Sequence, residues 1–268
     1  MSSFGYPLRF AVTNVIDSVT YTQNGGPLDG VSSNTVYISQ DMVDDDYLET
    51  LAAGILYVVD GALDVSGHYI TVPLLGLRMI GLGMDISSIT CSTPASALFR
   101  VPLAGVSGSL TLEHMTFTIT GAGASLFALF GNSAYNGILF ESLKFLNCID
   151  LGYFDAYYVC SENKTVRLAG SPKLELRGSW GGGYSIRDSI SVSLNNTVYS
   201  LFKCVEDQVF NSRVVGNPNF ALPASVTAFE IAAANIAVDA NFALNDAIFS
   251  GAGTPLTPLL ISDKKTHV

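Results

Sequence analysis

The chain has 268 residues and a mass of 28.4 kDa, which is ample for one all-β domain with a sizeable core. Hydrophobic residues make up 49% of the sequence and charged residues only 13%, so little charge is available for the surface. The net charge of −10 argues against nucleic-acid binding, which favours a basic face. The longest uncharged stretch, 114–140, is broken by Gly, Asn and hydroxyl residues, so we expect no membrane insertion.

The N-terminal part divides into an arm and a cap. Residues 1–43 are strand- and loop-like, with a turn at 24–27, and we predict a separate N-terminal arm. Residues 44–54 predict a short capping helix, with acidic residues in the first turn and Gly54 just past the end. We attribute the acidic run 41–46 to helix capping, because it lacks the glycine and the final glutamate of a calcium loop.

An internal repeat of 28 residues follows. Segment 110–117 aligns with 138–145, apolar residue on apolar residue, and Glu113 falls on Glu141. A second pair of strands has the same offset, Leu98-Phe99 and Leu126-Phe127, and weaker copies include Leu201-Phe202, Ala228-Phe229, 210–215 and 244–249. Two strands that repeat at one offset predict a structure of stacked, similar turns.

This period predicts an all-β, single-stranded parallel β-helix of about seven coils over 55–250, because stacked coils pair their strands about 4.8 Å apart. The three-residue step from Leu112 to Met115 predicts a bend around Glu113 and His114. Two later residues, Asn211 and Asn245, are expected at the matching bend. We assign three strands to the first turn, 55–59, 69–72 and 77–80, and we expect 251–268 to be an extended C-terminal tail.

The opening of this region resembles a known family. Segment 54–61 reads GILYVVDG, 70–73 reads ITVP and 79–83 reads MIGLG, a pattern similar to the start of pectate-lyase-like β-helices. Phage tailspikes and fibres share that fold, and the resemblance covers about 55–250. It implies a right-handed β-helix and a homotrimer on a virion, whose N-terminal arm contacts other virion proteins. The resemblance also explains the apolar composition, because rods packed side by side cover part of each apolar flank.

Four aromatic residues are candidate contacts for a host glycan or receptor. Trp180 and Tyr184 flank three glycines, and an exposed ring beside flat backbone suits sugar stacking. The alternative is a turn in which Trp180 packs on the rod. Tyr157 and Tyr158 belong to an aromatic run that interrupts the repeat, where the alternative to a contact is local packing.

A catalytic alternative rests on paired carboxylates. Many tailspikes of this fold cleave polysaccharides with two carboxylates about 5–9.5 Å apart. Glu113 and Glu141 are in register one coil apart, although they are also typical solvated bend residues. The low charge count and short length weigh against an enzyme. The resemblance then implies a non-enzymatic virion protein, made in the host cytoplasm, for host attachment or particle decoration. The alternatives are a depolymerase tailspike and a binding module, and the latter would need an export signal that 1–10 lacks.

No cofactor or metal site is predicted. The four cysteines have spacings of 57, 12 and 44 residues, which match no metal pattern and indicate apolar core positions. His68, His114 and His267 converge on no motif, and the Gly121-Ala122-Gly123 run is not a dinucleotide fingerprint.

Overall fold

The fold is described by a computed structural model. Side chains and backbone are described at 34–103, 105–132, 135–148, 150–168, 173–178, Phe202 and Lys203, and only the backbone of the strands is described elsewhere. The described chain is nearly all parallel β-structure with almost no helix, and it forms a β-solenoid of about four turns. The predicted parallel β-helix is confirmed at this level.

Three parallel sheets form the walls of the solenoid, and each strand pairs with the strand one turn before and after it. The first sheet consists of Thr35–Ile38, Leu56–Val59, Leu77–Gly81, Leu110–Glu113, Gly137–Glu141, Val159–Asn163, Trp180–Ile186, Phe210–Val214 and Phe242–Leu244. The second consists of Ala62–Asp64, Ser88–Cys91, Thr116–Ile119, Lys144–Leu146, Thr165–Leu168, Ile190–Ser193, Asn219–Ala221 and Ile248–Ser250. The third consists of Ile70–Thr71, Ala97–Arg100, Ser125–Phe130, Gly152–Asp155, Leu174–Arg177, Tyr199–Cys204, Val226–Ile231 and Thr257–Ile261. A separate antiparallel pair joins Thr22–Gln23 to Gly26–Pro27.

The 28-residue register is confirmed where the sequence shows it most clearly. Paired residues at this offset are Leu110 with Ile138, Glu113 with Glu141, Phe117 with Phe145, and Phe99 with Phe127. The offset is not constant along the chain. Leu110 also pairs with Leu77, 33 residues earlier, and Ile138 pairs with Cys160, 22 residues later. The strands keep their places while the loops between them change length, as parallel stacking allows.

The bend between the first and second sheets is also where the sequence predicts it. His114 has a φ of 55°, and Ser142 and Lys164, the corresponding residues of the next two turns, each have a φ of 52°. The prediction for Asn211 is wrong, because it lies inside the strand Phe210–Val214. Asn245 lies outside the described residues.

Large side chains stack in ladders inside the solenoid. The Phe117 and Phe145 rings stack with centroids 6.0 Å apart, and Phe99 stacks on Phe127 at 5.4 Å. Phe140 joins the two ladders, since its ring lies 5.3 Å from that of Phe127 and 6.0 Å from that of Phe145. All five rings are fully buried. Burial of a phenylalanine contributes about 1.5–3 kcal/mol, so these ladders are a major source of stability.

The first turn differs from the prediction. Leu56–Val59 and Leu77–Gly81 pair with each other in the first sheet, and therefore belong to consecutive turns. The second strand of the first turn is Ala62–Asp64. Its three residues contain a single buried side chain, Leu63, which is too short a pattern to recognise in the sequence.

The N-terminal cap consists of two short helices where the sequence predicts a single helix over 44–54. An α-helix spans Gln40–Asp44 and a 3-10 helix spans Tyr47–Thr50. Asp46, with a left-handed φ of 60°, separates them and prevents a continuous helix. Each helix buries one apolar side chain, Val43 and Leu48, against the end of the core.

The solenoid extends beyond the predicted boundaries at both ends. Thr35–Ile38 pairs with Leu56–Val59, so this part of the predicted arm is a strand of the first sheet. Thr257–Ile261 pairs with Val226–Ile231, so part of the predicted tail is a strand of the third sheet. Most of the predicted arm before residue 34, and residues 251–256 and 262–268 of the tail, lie outside the described residues.

Candidate functional site

One corner of the solenoid carries a row of exposed apolar side chains. At this corner the chain passes from the third sheet to the first sheet of the next turn, through loops 72–76, 101–109, 131–136 and 156–158. Five exposed side chains of these loops form what we call the corner ridge: Leu74, Leu75, Leu103, Tyr135 and Tyr158. Leu75 is 86% exposed and Tyr135 is 82% exposed. A single exposed leucine is ordinary, but the alignment of several such groups at one corner is not.

Hydrogen bonds stack these loops at successive levels of the solenoid. The Gly108 amide donates to the Pro73 carbonyl at 2.8 Å, which joins the first loop to the second. The Asn136 side-chain amide donates to the Ser107 carbonyl at 2.8 Å, and the Tyr158 amide donates to the Asn136 carbonyl at 2.7 Å. The corner ridge therefore runs along the solenoid axis, over about 14 Å at the usual strand spacing.

The four loops contain no Asp, Glu, Lys, Arg or His. The neighbouring third sheet is different, because Glu175 there accepts hydrogen bonds from Arg177 at 2.6 Å and from Lys173 at 3.2 Å. Burial favours a higher pKa for Glu175, but these hydrogen bonds outweigh it and hold the pKa below its ordinary value. The ridge is thus an uncharged edge on a chain with a net charge of −10.

Two of the four predicted aromatic contacts lie beside each other at this corner, with opposite exposure. Tyr158 is 45% exposed and belongs to the corner ridge. Tyr157 is fully buried, and its hydroxyl lies 2.6 Å from Ser107 Oγ. Burial raises the pKa of Tyr157 well above its ordinary value of 10.0. The prediction of Tyr157 as a surface contact is wrong, because its ring fills the core beneath the loop.

Trp180 and Tyr184 lie in a strand of the first sheet, not in a turn. Trp180 pairs with Phe210, Tyr184 pairs with Cys160, and the register shifts between them across the three glycines. Their side chains lie outside the described residues, so their role as glycan contacts stays a prediction.

The predicted carboxylate pair is brought together on the first sheet. Glu113 and Glu141 are direct neighbours on adjacent strands, one turn apart. Arg78 Nε donates to Glu113 Oε1 at 3.1 Å, so this carboxylate already has a cationic partner. An open groove of about 490 Å³ lies on the same sheet and reaches the ridge, with Arg78, Thr111 and Leu75 in its lining.

Three of the four cysteines are confirmed as core residues. Cys91, Cys148 and Cys160 are buried free thiols. Burial raises the pKa of Cys148 to about 12, so its thiol stays protonated and unreactive at neutral pH. The side chain of Cys204 lies outside the described residues. No helix in the described part of the chain is long and apolar enough to cross a membrane.

A cluster of potential metal ligands at the cap could not be predicted from the sequence. Asp46, Glu49 and His68 each place one ligand atom within 4.8 Å of the others. It is the one group of three His, Cys, Asp or Glu side chains that converges in this way within the described residues. The first two residues lie in the cap and His68 lies 22 positions further along, so no local spacing could have predicted their proximity.

Comparisons of the chain with protein-family models, with curated proteins and with solved structures find no match. Function is therefore inferred from the geometry of the chain itself.

Proposed function

We propose that this chain is a non-enzymatic structural protein of a virion, a fibre- or spike-type component for host attachment or particle decoration that assembles as a homotrimer. The observation that carries the proposal is the corner ridge, an uncharged apolar row along the axis of a solenoid. Soluble monomers rarely expose aligned apolar groups of this kind, which are typical of surfaces that another chain covers.

A threefold axis parallel to the solenoid suits this surface. Such an axis places three identical corners side by side, so each ridge residue faces its own copy at the same level. Copies of a chain with a net charge of −10 repel one another, and contact along an uncharged edge brings no like charges together. Leu75 and Leu103 are the most exposed leucines of the ridge and supply its apolar contacts.

The finer features of the assembly belong to the same proposal. The solenoid is right-handed, in accordance with the pectate-lyase-like pattern at 54–83, and its repeat supports about seven coils. The N-terminal arm contacts other virion proteins, and Trp180, Tyr184 and Tyr158 are the candidate contacts for a host surface glycan. The protein is made in the host cytoplasm and resides in the virion.

The test compares solution mass by light scattering for the full chain and two double-charge variants. The wild type is expected near three times 28.4 kDa, and Leu75→Asp with Leu103→Asp is expected to be monomeric. Leu82→Asp with Ile86→Asp is the matched control, because these exposed residues occupy the corner between the first and second sheets. Circular dichroism verifies that each variant is folded. A monomeric wild type contradicts the proposal.

A polysaccharide depolymerase is the second candidate, and the adjacent Glu113 and Glu141 favour it. Turnover by this pair requires the two carboxyl groups to flank a sugar linkage. Glu113 is instead hydrogen-bonded to Arg78, which would have to release it. The discriminating assay is release of reducing ends from a panel of bacterial polysaccharides. Turnover that disappears in Glu113→Gln and Glu141→Gln, but persists in Asp85→Asn, would establish the enzyme and displace the structural protein.

A further inference from the structure

The N-terminal cap and the first turn bring together a metal-ligating set from two separate segments. Asp46 and Glu49 come from the cap, and His68 comes from the loop between the second and third sheets. His68 Nδ1 lies 2.8 Å from Asp46 Oδ1. One nitrogen of His68 and one carboxylate oxygen from each of Asp46 and Glu49 lie within 4.8 Å of one another, so an imidazole and two carboxylates are brought together.

The two segments are held in position by contacts that do not involve these three side chains. Gln40 Nε2 donates to the Asp64 carbonyl at 2.8 Å, and the Asp64 amide donates to Gln40 Oε1 at 2.9 Å. The Asp64 carboxylate in turn accepts a hydrogen bond from the Ser66 amide at 3.0 Å. The backbone that carries Asp46 and the backbone that carries His68 are therefore preorganised, which lowers the cost of binding a ligand between them.

Helix capping does not account for Asp46. Ser39 caps the α-helix, with its side chain accepting a hydrogen bond from the Met42 amide. Asp46 occupies the N-cap position of the 3-10 helix but makes no capping hydrogen bond with its side chain. Its carboxylate is directed to His68 instead, so the attribution of the acidic run to capping fails at this residue.

The donor set selects the class of ion. Calcium and magnesium prefer six or more oxygen ligands, whereas a neutral imidazole with carboxylates suits zinc and its neighbours. A tetrahedral zinc ion holds its ligand atoms about 3.3 Å apart, so the three atoms need to move by only an ångström or so. Asp46 is largely exposed, which leaves room for water at a fourth position.

We propose that Asp46, Glu49 and His68 bind a divalent transition-metal ion of the zinc class, which fastens the N-terminal cap to the first turn of the solenoid. The ion neutralises the two carboxylates and replaces the hydrogen bond between Asp46 and His68. The surroundings also contain Arg100, which lies over the Tyr69 ring at 4.3 Å, while Tyr69 is hydrogen-bonded to Glu49. Because the ligands come from both segments, bound metal stabilises the capped state.

The test uses the full chain after treatment with a chelator. Titration with Co²⁺ is expected to give visible absorption of a low-coordinate complex at one equivalent, and Zn²⁺ is expected to displace it and raise the melting temperature by several degrees. Both responses should be lost in His68→Gln. In Glu49→Gln the affinity for the metal ion should fall at least tenfold. Asp45→Asn, which removes a neighbouring charge outside the cluster, should respond like the wild type.

Three results would overturn the proposal. The first is a wild type that gives neither Co²⁺ absorption nor a Zn²⁺-dependent shift, and the second is a His68→Gln variant that retains both. The third is an equal loss in Asp45→Asn, which would indicate general attraction to an acidic surface. The melting temperature of each metal-free variant reports whether it is folded, so misfolding is distinguishable from loss of a ligand.

Discussion

Glu162 and Arg167 form an ion pair in the interior of the solenoid. One guanidinium nitrogen of Arg167 donates to both carboxylate oxygens of Glu162, at 2.9 and 3.2 Å, and both side chains are fully buried. The pair follows two stacked phenylalanines, because Glu162 pairs with Phe140 and Arg167 pairs with Phe145. The Arg167 guanidinium also lies 4.7 Å from the Phe202 ring. These two are the buried charged side chains of the described residues, and we expect them to disfavour strands stacked out of register.

Replacement of one member of this pair should be far more harmful than replacement of both. Arg167→Met leaves a buried carboxylate without its cation, and we expect a loss of about 3–5 kcal/mol in the free energy of unfolding. The double change Glu162→Leu with Arg167→Met should recover most of this loss, because an apolar pair fits the ladders. Urea unfolding measures the free energy of unfolding of the single and the double variant.

The matched control is the outer pair of Arg78 and Glu113. Glu113→Gln should cost about 0–1 kcal/mol, because Arg78 is exposed and solvent screens the interaction. A single change at Arg167 that is no worse than this control would contradict the structural role of the buried pair.

Gly152 should tolerate no side chain. Its φ is 83°, and an added Cβ would overlap the Phe127 carbonyl oxygen on the neighbouring strand. Gly152→Ala therefore carries both the cost of a left-handed backbone and a backbone clash, and we expect a loss above about 3 kcal/mol or failure to fold. Gly54→Ala separates the two effects, because Gly54 has a φ of 77° and no atom within 4 Å of the added Cβ. The control should lose only about 1–2 kcal/mol in thermal or urea unfolding.

The solenoid should lose stability at alkaline pH. Burial raises the pKa of Tyr57 and of Tyr157 well above the ordinary 10.0, so both stay protonated in the folded chain when they ionise in the unfolded chain. The unfolded state then binds fewer protons, and stability is fully present below pH 10 and falls as the pH rises above it.

Tyr157→Phe isolates one of these contributions. Above pH 10, the free energy of unfolding of the variant should fall less steeply with pH than that of the wild type. At neutral pH the variant should be about 1 kcal/mol less stable, because it lacks the hydrogen bond to Ser107. Tyr158→Phe removes the same hydroxyl from an exposed neighbour and serves as the control. Tyrosinate absorbance, recorded with circular dichroism, measures ionisation and unfolding together. Ionisation of Tyr157 before any loss of structure would contradict the claim that its ionisation is linked to unfolding.

Sequence reasoning succeeded where the structure repeats by simple translation. In a parallel solenoid a residue stacks on its counterpart one turn later, so the offset between Leu110 and Ile138 is itself the register. The bend at His114 could be predicted for a related reason, because a three-residue step in an otherwise alternating pattern breaks the strand.

Sequence reasoning failed where the loop length changes or where contacts join distant segments. The two-residue strand Ile70–Thr71 and the three-residue strand Ala62–Asp64 carry too little pattern to count turns at the start of the chain. Tyr157 and Tyr158 are adjacent and chemically identical, yet one fills the core and the other lies on the ridge. Ala156, with a left-handed φ of 54°, interrupts the alternation of the strand Gly152–Asp155, so the alternating pattern does not show which tyrosine points inward. The approach of His68 to Asp46 depends on how the cap folds over the first turn, which no local spacing records.

Cross-linking along the ridge tests the central claim most directly. A threefold axis at the corner ridge places Leu103 beside its own copies, so Leu103→Cys should form an intersubunit disulfide on mild oxidation, seen as a covalent dimer on a non-reducing denaturing gel. Cys204→Ser is included in every variant, since the other native cysteines are buried. Leu82→Cys, exposed at a different corner, should remain uncross-linked. A cross-link at Leu82 alone, or at neither position, would contradict a trimer built on this edge.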